Sequence, residues 1–256
     1  MPRYFYVRQH LGSLTVDRQI VRLGVSYTPT STLQLEAEIP YSHTSFRDGD
    51  LGRRAGDGLG NITVWSKYRF YRTLETWGDR QAAVRFGLEL PSGQRRGPTQ
   101  QELSAPEYVR QQLTPIAGGW AAHLDTSYSQ AKGRFVLGAN VEGVLRSERD
   151  GFRTGHEARI NTDLEYVLFP LKYREPTKEL FAILETSYGY HSRGRIGGVD
   201  VPGSSATEFY VAPGLQYVVS PRLVVEASLQ LPVSRNTGPL ALRTDKNLLV
   251  GVRLLY

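Results

Sequence analysis

The sequence contains no cysteine and only one methionine. The absence of cysteine excludes disulfide bonds, thiol nucleophiles and thiolate metal ligands. No stretch approaches the roughly 18 to 20 consecutive apolar residues of a spanning helix, so a transmembrane helix is excluded. The N-terminal segment MPRYFYVRQH also lacks the charged start, apolar core and small-residue cleavage site of a secretory signal. We therefore expect either that the protein is not exported or that its leader is missing from the sequence.

The composition is that of a folded chain rich in strands and turns. Hydrophobic residues make up 40% of the 256 residues, which argues against disorder. Tyrosine (15) outnumbers phenylalanine (9), and glycine is abundant at 26, a mixture that favours strands and turns over helices. The length suits one large domain, and we assign residues 1–256 to it.

Apolar and polar residues alternate along most of the chain. In one segment Val21, Leu23 and Val25 alternate with Arg22 and Gly24. Equivalent segments recur up to the C-terminus and, with a weaker one at YFYVRQ, number about twelve. Alternation of this length predicts half-buried β-strands. Only TQQELSAPEYVRQQL (residues 99–113) is compatible with a helix, a short one within a loop.

The connections between the predicted strands alternate between short and long. The long ones are residues 42–59, 92–114, 147–157, 191–206 and 233–245. A transmembrane barrel has short periplasmic turns and long extracellular loops, and an even strand number leaves both termini in the periplasm. Pro40, Pro91 and Pro232, in EIP, ELP and QLP, are interpreted as strand terminators.

The apolar faces can belong to a soluble core or to a lipid-facing surface. Aromatic residues decide between them, because they are predicted to form two rings at the strand ends, as membrane interfaces favour. The ring at the short-turn end contains Tyr27, Phe70, Phe135, Tyr166, Tyr217 and Tyr256; the ring at the long-loop end contains Tyr41, Trp120, Tyr188, Tyr190 and Phe209. We therefore predict an all-β fold, a transmembrane antiparallel up-and-down β-barrel of about 12 strands.

Ionisable residues occupy the alternate face, which is the lumen of such a barrel. The candidate pore-lining residues are Arg22, Glu36, Glu38, Lys67, Arg69, Arg85, Glu89, Glu142, Arg159, Asp163, Glu165, Glu226 and Arg253. Barrels of this size are intermediate between filled small barrels and open porins. Opposite charges can therefore pair across the interior and close it, or leave a narrow polar path that selects solutes.

Three segments stand out beside the C-terminal strand: DGLGNITVWSKYRF (57–70), EIPY (38–41) and FYVAPGLQYVVSPRLVVEASLQLPV (209–233). Together they resemble the outer-membrane transporter family associated with the meta-pathway of phenol degradation. Asn61 stands where the family pattern has Asp. The resemblance implies an exported barrel in the outer membrane of Gram-negative bacteria that passes aromatic or other hydrophobic compounds.

The residues give little support for catalysis, so we predict a protein that is not an enzyme, with no catalytic residues, metal or cofactor. His156 lies near Asn161, but no serine follows at the spacing of a Ser–His pair. His10, His43 and His191 show no metal-ligand spacing. The glycine-rich GDGLG precedes a strand, whereas a phosphate loop follows one. His123 is predicted to face the lumen beside Asp125 in a hydrogen-bond network.

The net charge of +6 is concentrated in arginines of the long loops. They are Arg47, Arg53, Arg54, Arg95, Arg96, Arg149, Arg153, Arg193 and Arg195. On a barrel these face outward from the cell, so lipopolysaccharide phosphates or simple solvation are expected, and nucleic acid is not.

The closing segment NLLVGVRLLY resembles the C-terminal signal by which barrel-assembly machinery recognises outer-membrane proteins, through Gly251, Leu254 and Tyr256. The expected partners are thus outer-membrane lipid and lipopolysaccharide, that machinery, and a small-molecule solute. The function we predict is a passive outer-membrane channel. The alternatives are a closed structural or adhesion barrel and a soluble β-barrel that binds ligands.

Overall fold

The computed structural model describes residues 1–49, 53–75, 78–93, 97–171 and 178–254. Period-two alternation over this length produces strands rather than helices. The elements, in chain order, are β1 (Pro2–Leu11), β2 (Leu14–Tyr27), β3 (Leu33–Asp48), β4 (Arg54–Leu59), β5 (Ile62–Glu75), β6 (Gly78–Leu90), α1 (Glu107–Gln111), β7 (Ala121–Lys132), β8 (Phe135–Arg146), β9 (Phe152–Arg153), β10 (Glu157–Phe169), β11 (Glu179–His191), β12 (Arg195–Ile196), β13 (Val199–Asp200), β14 (Ala206–Ser220), β15 (Leu223–Thr237) and β16 (Arg243–Leu254).

The long strands form a closed antiparallel barrel of twelve strands. Each pairs with its neighbour in chain order when β4, β9, β12 and β13 are set aside, and β1 pairs with β16 to complete the ring. The closing register places Tyr4 opposite Val250 and Val7 opposite Asn247. Within the described ranges, closure leaves no unpaired strand edge around the wall, as lipid requires. The predicted fold class is therefore confirmed.

The apolar face of each strand points outward. Val25 is 72% exposed, Val141 57% and Leu215 53%. Such exposure would be unfavourable in water but is expected where lipid covers the surface. Among the described residues, no helix is long and apolar enough to cross a membrane.

The strict alternation of short and long connections is wrong at the first hairpin. Here β1 and β2 are joined at the long-loop end by a two-residue turn, Gly12–Ser13. Gly12 has a φ of +58°, a left-handed conformation that glycine adopts without steric cost. The predicted grouping still holds, because the long connections lie together at this same end of the barrel.

Two predicted loops, 42–59 and 233–245, are mostly strand. β3 continues to Asp48 and pairs with β4, while β15 reaches Thr237 and β16 begins at Arg243. The pattern was misleading because these extensions stand beyond the apolar belt and carry polar residues such as Ser42 and Thr44.

Proline ends a strand at only one of the three predicted places. Pro91 follows β6, but Pro40 and Pro232 lie within β3 and β15, so the terminator interpretation is wrong for both. Pro40 lies where the pairing of β3 passes from β5 to β4, and Pro232 adjoins the register shift in the pairing of β14 with β15. A missing N–H costs little at such irregular positions.

The long connections are folded. The predicted short helix is α1, within the connection from β6 to β7. β9, β12 and β13 form a small three-stranded sheet from two other loops. These loops lie together at one end of the barrel, where they bear on the lumen.

Candidate functional site

The predicted lumen residues line internal cavities or pair with residues that do. A central cavity of about 1030 Å³ is lined by Arg22, Glu36, Glu38, Lys67, Arg85, Glu89, Glu142, Arg159 and Arg253, among others. A second cavity, of about 630 Å³, is lined by Lys67, Arg69, Arg85, Asp163 and Glu165 with the turn that contains Thr28 and Ser31. Glu226 pairs with Arg253 at 3.6 Å.

A third cavity lies toward the long-loop end and has a volume of about 390 Å³. It shares Arg18, Glu157 and Arg159 with the central cavity, which in turn shares Lys67 and Arg85 with the 630 Å³ cavity. The three cavities are therefore neighbours that follow one another along the barrel.

Ion pairs near the short-turn end join strands that are adjacent or one strand apart. Arg3 Nε lies 2.9 Å from Glu226 Oε1, joining β1 to β15. Arg85 Nη2 lies 3.3 Å from Glu36 Oε2, and Arg22 lies 3.8 Å from Glu38. These charges are satisfied along the wall and not across the lumen.

An aromatic and acidic cluster lies at mid-lumen. His123 lies 3.4 Å from a Glu89 oxygen and 3.6 Å from a Glu142 oxygen. The Trp65 ring is 4.9 Å from the His123 ring, and the Arg85 guanidinium is 3.7 Å from the Trp65 centroid. His123 therefore faces the lumen as predicted, but its charged neighbours are two glutamates. Asp125 instead accepts a hydrogen bond from Asn140 at 3.0 Å.

A second network lies above this cluster. Glu157 Oε1 lies 2.7 Å from Arg146 Nη2, its Oε2 lies 3.0 Å from Arg159, and His191 is at 3.7 Å. The side chains of Arg146 and Glu157 are 9% and 17% exposed. Because two cations and a histidine surround one shielded carboxylate, this network fixes the wall formed by β8, β10 and β11.

One part of the wall carries carboxylates without partners. Asp163 and Glu185 are cross-strand neighbours on β10 and β11, and Glu165 is two residues from Asp163 on the same face. None of the three forms an ion pair within the described part of the chain. This acidic wall makes one side of the lumen negatively charged, while Lys67, Arg69 and Arg85 line the same 630 Å³ cavity.

Residues 97–119, which we term the covering loop, fold over the barrel at the long-loop end. Leu103, Val109 and Leu113 pack with barrel residues in a buried apolar cluster. Leu103 and Val109 have no exposed surface. The other buried members are Leu14, Val16, Phe46 and Leu242. An apolar core of this kind holds the loop in place through the burial of its side chains.

Other contacts tie the covering loop to the neighbouring loops and the wall. The Tyr108 ring is 5.8 Å from the Phe152 ring, and burial raises the pKa of the Tyr108 phenol. Arg18 donates a hydrogen bond to the Gln112 carbonyl, and Gln112 Nε2 donates to the Leu240 carbonyl at 2.9 Å. Thr114, Pro115 and Ala117 line the central cavity from above. The covering loop is therefore the roof of the lumen.

Asn61 attaches both ends of the β6–β7 connection, which contains the covering loop, to the wall. Its Nδ2 donates to Glu89 Oε1 at 2.8 Å and to the Gly119 carbonyl at 3.3 Å, while its Oδ1 accepts from the Gly93 N–H at 3.0 Å. The side chain is 5% exposed. An Asp here, as in the family pattern, would place a second carboxylate against Glu89.

We expect Asn61→Asp to loosen the roof at neutral pH, because it removes a donor to Glu89 and adds a like charge at that distance. In single-channel recordings the variant should spend more time in high-conductance states. Asn61→Ala, which removes the contacts without adding charge, should give a smaller effect in the same direction. Equal open times in the parent and in Asn61→Asp would contradict the fastening role.

Most of the predicted interface aromatics point outward, as their exposure shows. Tyr27 is 67% exposed, Phe70 56% and Trp120 51%; the values for Phe135, Tyr188, Tyr41 and Tyr166 are 51%, 49%, 44% and 37%. Phe209 and Tyr217 are partly buried on β14. Tyr256 lies outside the described residues, as do Arg95 and Arg96.

Sequence reasoning missed several lumen residues. Arg18, Arg146, Glu157 and Glu208 line cavities, and Trp65 lies over Gly87, where no Cβ would fit. The period-two alternation of their strands could have identified these residues as facing the lumen. Arg18 is in phase with Arg22, and Trp65 is in phase with Lys67 on the polar face of β5.

Comparison with known proteins places the fold among solved outer-membrane barrels. An outer membrane channel from Pseudomonas putida F1 is 16% identical with a TM-score of 0.70, over 99% of this chain and 93% of that one. The β-domain of the Bordetella autotransporter BrkA is 10% identical with a TM-score of 0.55, over 100% and 98%. The NanC porin is 10% identical with a TM-score of 0.51, over all of both chains.

No family model matches the sequence, and the search of curated proteins gives no match. At these identities the likeness concerns the fold. The resemblance to the transporter family of phenol degradation stays a prediction.

Proposed function

We propose that this protein is an outer-membrane channel for the passive passage of small solutes. The observation that carries the proposal is the succession of neighbouring polar cavities, which runs from the short-turn end to the covering loop. The outward apolar surface and the similarity of the fold to outer-membrane barrels support the membrane assignment. They do not favour the alternative of a soluble binding protein.

The arrangement of the lumen charges favours a path over a plug. Arg22–Glu38, Arg159–Glu142 and Arg146–Glu157 each join neighbouring strands. Pairs across the barrel would fill its centre, whereas pairs along the wall leave it open to water. The covering loop is then the element that separates a conducting from a closed state.

The cavity walls are mainly charged, amide and hydroxyl side chains, so we propose polar solutes. Aromatic or hydrophobic cargo, which the family resemblance implies, stays a prediction, and Trp65 is an aromatic side chain of the central cavity that such cargo would meet.

The partners at the surface also remain proposals. Arg47, Arg54 and Arg193 are exposed among the loop arginines and are available to lipopolysaccharide phosphates. In contrast, Arg195 pairs with Asp200 at 2.5 Å and lowers the pKa of that carboxyl, and Arg153 is buried. Recognition of the C-terminal strand by barrel-assembly machinery rests on the sequence resemblance.

Single-channel recording in planar bilayers tests the proposal. The refolded protein in potassium chloride should give discrete conductance steps that fluctuate as the covering loop moves. The absence of steps at any voltage, from protein whose barrel is folded, would favour the closed structural or adhesion barrel. A folded protein that stays soluble without detergent would instead favour the soluble alternative.

A further inference from the structure

The 390 Å³ cavity beneath the covering loop, which we term the upper chamber, has the volume of a small-molecule site. Its walls come from β1, β2, β10, β11 and β14 to β16, and its roof includes Tyr108, Gln112 and Ser204. In this chamber one cation and one anion have no ion-pair partner in the described part of the chain, and each also has a buried atom without a hydrogen-bond partner.

The unpaired cation is Arg18 on β2. Its guanidinium donates to the carbonyl of Gln112, but Nε is buried without a partner. No carboxylate lies within ion-pair distance of it in the described part of the chain. Arg22 and Arg159, on the same lumen face, are both paired with glutamates.

The unpaired anion is Glu208 on β14, which is only 7% exposed. Its Oε1 is buried without a hydrogen-bond partner, and it forms no ion pair with any described residue. The Tyr210 hydroxyl interacts with this carboxylate and with Thr244.

Two amide oxygens between these charges are also unsatisfied. Gln9 Nε2 donates to Thr244 at 3.2 Å, which leaves Gln9 Oε1 without a donor. Asn247 Nδ2 donates to Gln230 at 3.2 Å, which leaves Asn247 Oδ1 without one. Buried polar atoms are normally paired, so four such atoms around one chamber indicate a missing partner.

The four atoms define that partner's chemistry. They are one donor on a cation and three acceptors, one of them on a carboxylate. A carboxylate suits Arg18, and an ammonium group, with its three N–H donors, suits the acceptors. A neutral polyol would leave both buried charges without a counter-charge, and a phosphate would satisfy only Arg18.

We propose that the upper chamber binds a small zwitterion whose ammonium and carboxylate groups are several bonds apart, such as a dipeptide. β2 and β14 are four strand steps apart around the barrel, roughly 19 Å along the wall. The side chains of Arg18 and Glu208 both reach inward from these strands. The distance that remains between their charged groups suits a ligand with separated charges better than an α-amino acid, whose charges are adjacent. This inference names the solute class of the proposed channel and therefore rests on that function.

Calorimetric titration of the detergent-folded protein with glycylglycine tests the inference. Three probes of related shape lack one or both charges: glycinamide, N-acetylglycine and N-acetylglycinamide. Glycylglycine should bind at least ~tenfold more tightly than each, since a hydrogen bond to a charged group is worth that much. Equal binding of the uncharged probe, or no binding of glycylglycine, would overturn the assignment.

Glu208→Gln removes the carboxylate that meets the ammonium group, so this variant should bind glycylglycine no more tightly than N-acetylglycine. Arg18→Gln removes the cation that meets the carboxylate, so this variant should bind glycylglycine no more tightly than glycinamide. Arg195→Gln and Asp200→Asn, an ion pair in the exposed loops, serve as matched controls and should leave binding unchanged. Heat-modifiable migration on gels checks that each barrel is folded. If Arg18→Gln fails to fold, the Glu208→Gln variant and the probe series on the parent protein still test the inference.

Conductance in potassium chloride without probe separates the two proposals. Ion conduction without glycylglycine binding would overturn the zwitterion site and leave the channel. Binding without conduction would leave the site and refute the channel.

Discussion

Replacing residues 98–116 with a short Gly-Ser linker should raise the single-channel conductance several-fold and abolish most closures. The covering loop contributes Leu103, Val109 and Leu113 to the cluster that roofs the barrel, and Thr114 and Pro115 line the central cavity from above. The replacement removes this part of the roof, so water and ions reach the lumen from the long-loop end more easily.

Val199→Gly, in the exposed β12–β13 hairpin, is the control. Val199 lines none of the three cavities and is 68% exposed. The control should conduct like the parent. If the variant without the covering loop has parental conductance, the constriction lies within the barrel wall. The paired charges would then be the barrier.

The architecture was readable from the sequence because lipid imposes a simple rule on a barrel. Every spanning strand must present apolar residues on one face, so alternation such as Val21, Leu23 and Val25 against Arg22 is preserved strand after strand. The rule ends where the membrane ends. β3 continues past the apolar belt at Ser42 and Thr44. This part of the strand lacks the apolar face from which strands were predicted.

The site was only partly readable, because alternation fixes the face of a side chain and not its partner. It places Glu36, Glu38 and Glu89 in the lumen but does not reveal that Glu89 meets Asn61 and His123. Those contacts depend on the strand stagger around the barrel and on the path of the covering loop. Both are long-range properties.

The same limit explains why Arg18 and Glu208 were overlooked. They are 190 residues apart in the chain, and each lies at the edge of its alternating segment. Only closure of β1 on β16 brings β2 and β14 to the same chamber. A local pattern cannot show which buried charges remain unpaired.

Arg146→Met should lower the free energy of unfolding by about 3 kcal/mol, the lower end of the cost of breaking a buried ion pair. Arg146 Nη2 lies 2.7 Å from Glu157, and its Nη1 donates to the Gly155 carbonyl at 3.0 Å. The variant leaves a shielded carboxylate with Arg159, at 3.0 Å, and His191 as its remaining charged partners. Urea unfolding in detergent or lipid, followed by tryptophan fluorescence, measures the change.

Two further variants separate loss of the pair from loss of packing. Arg146→Met combined with Glu157→Leu should recover much of the stability, because the shielded Glu157 carboxylate that lost its closest cation is then removed as well. Arg195→Met, in the exposed pair with Asp200, should give no measurable change, because solvent already screens that pair. If the double variant is no more stable than Arg146→Met alone, the arginine acts through packing and its bond to Gly155, and the ion pair contributes little to the stability of the wall.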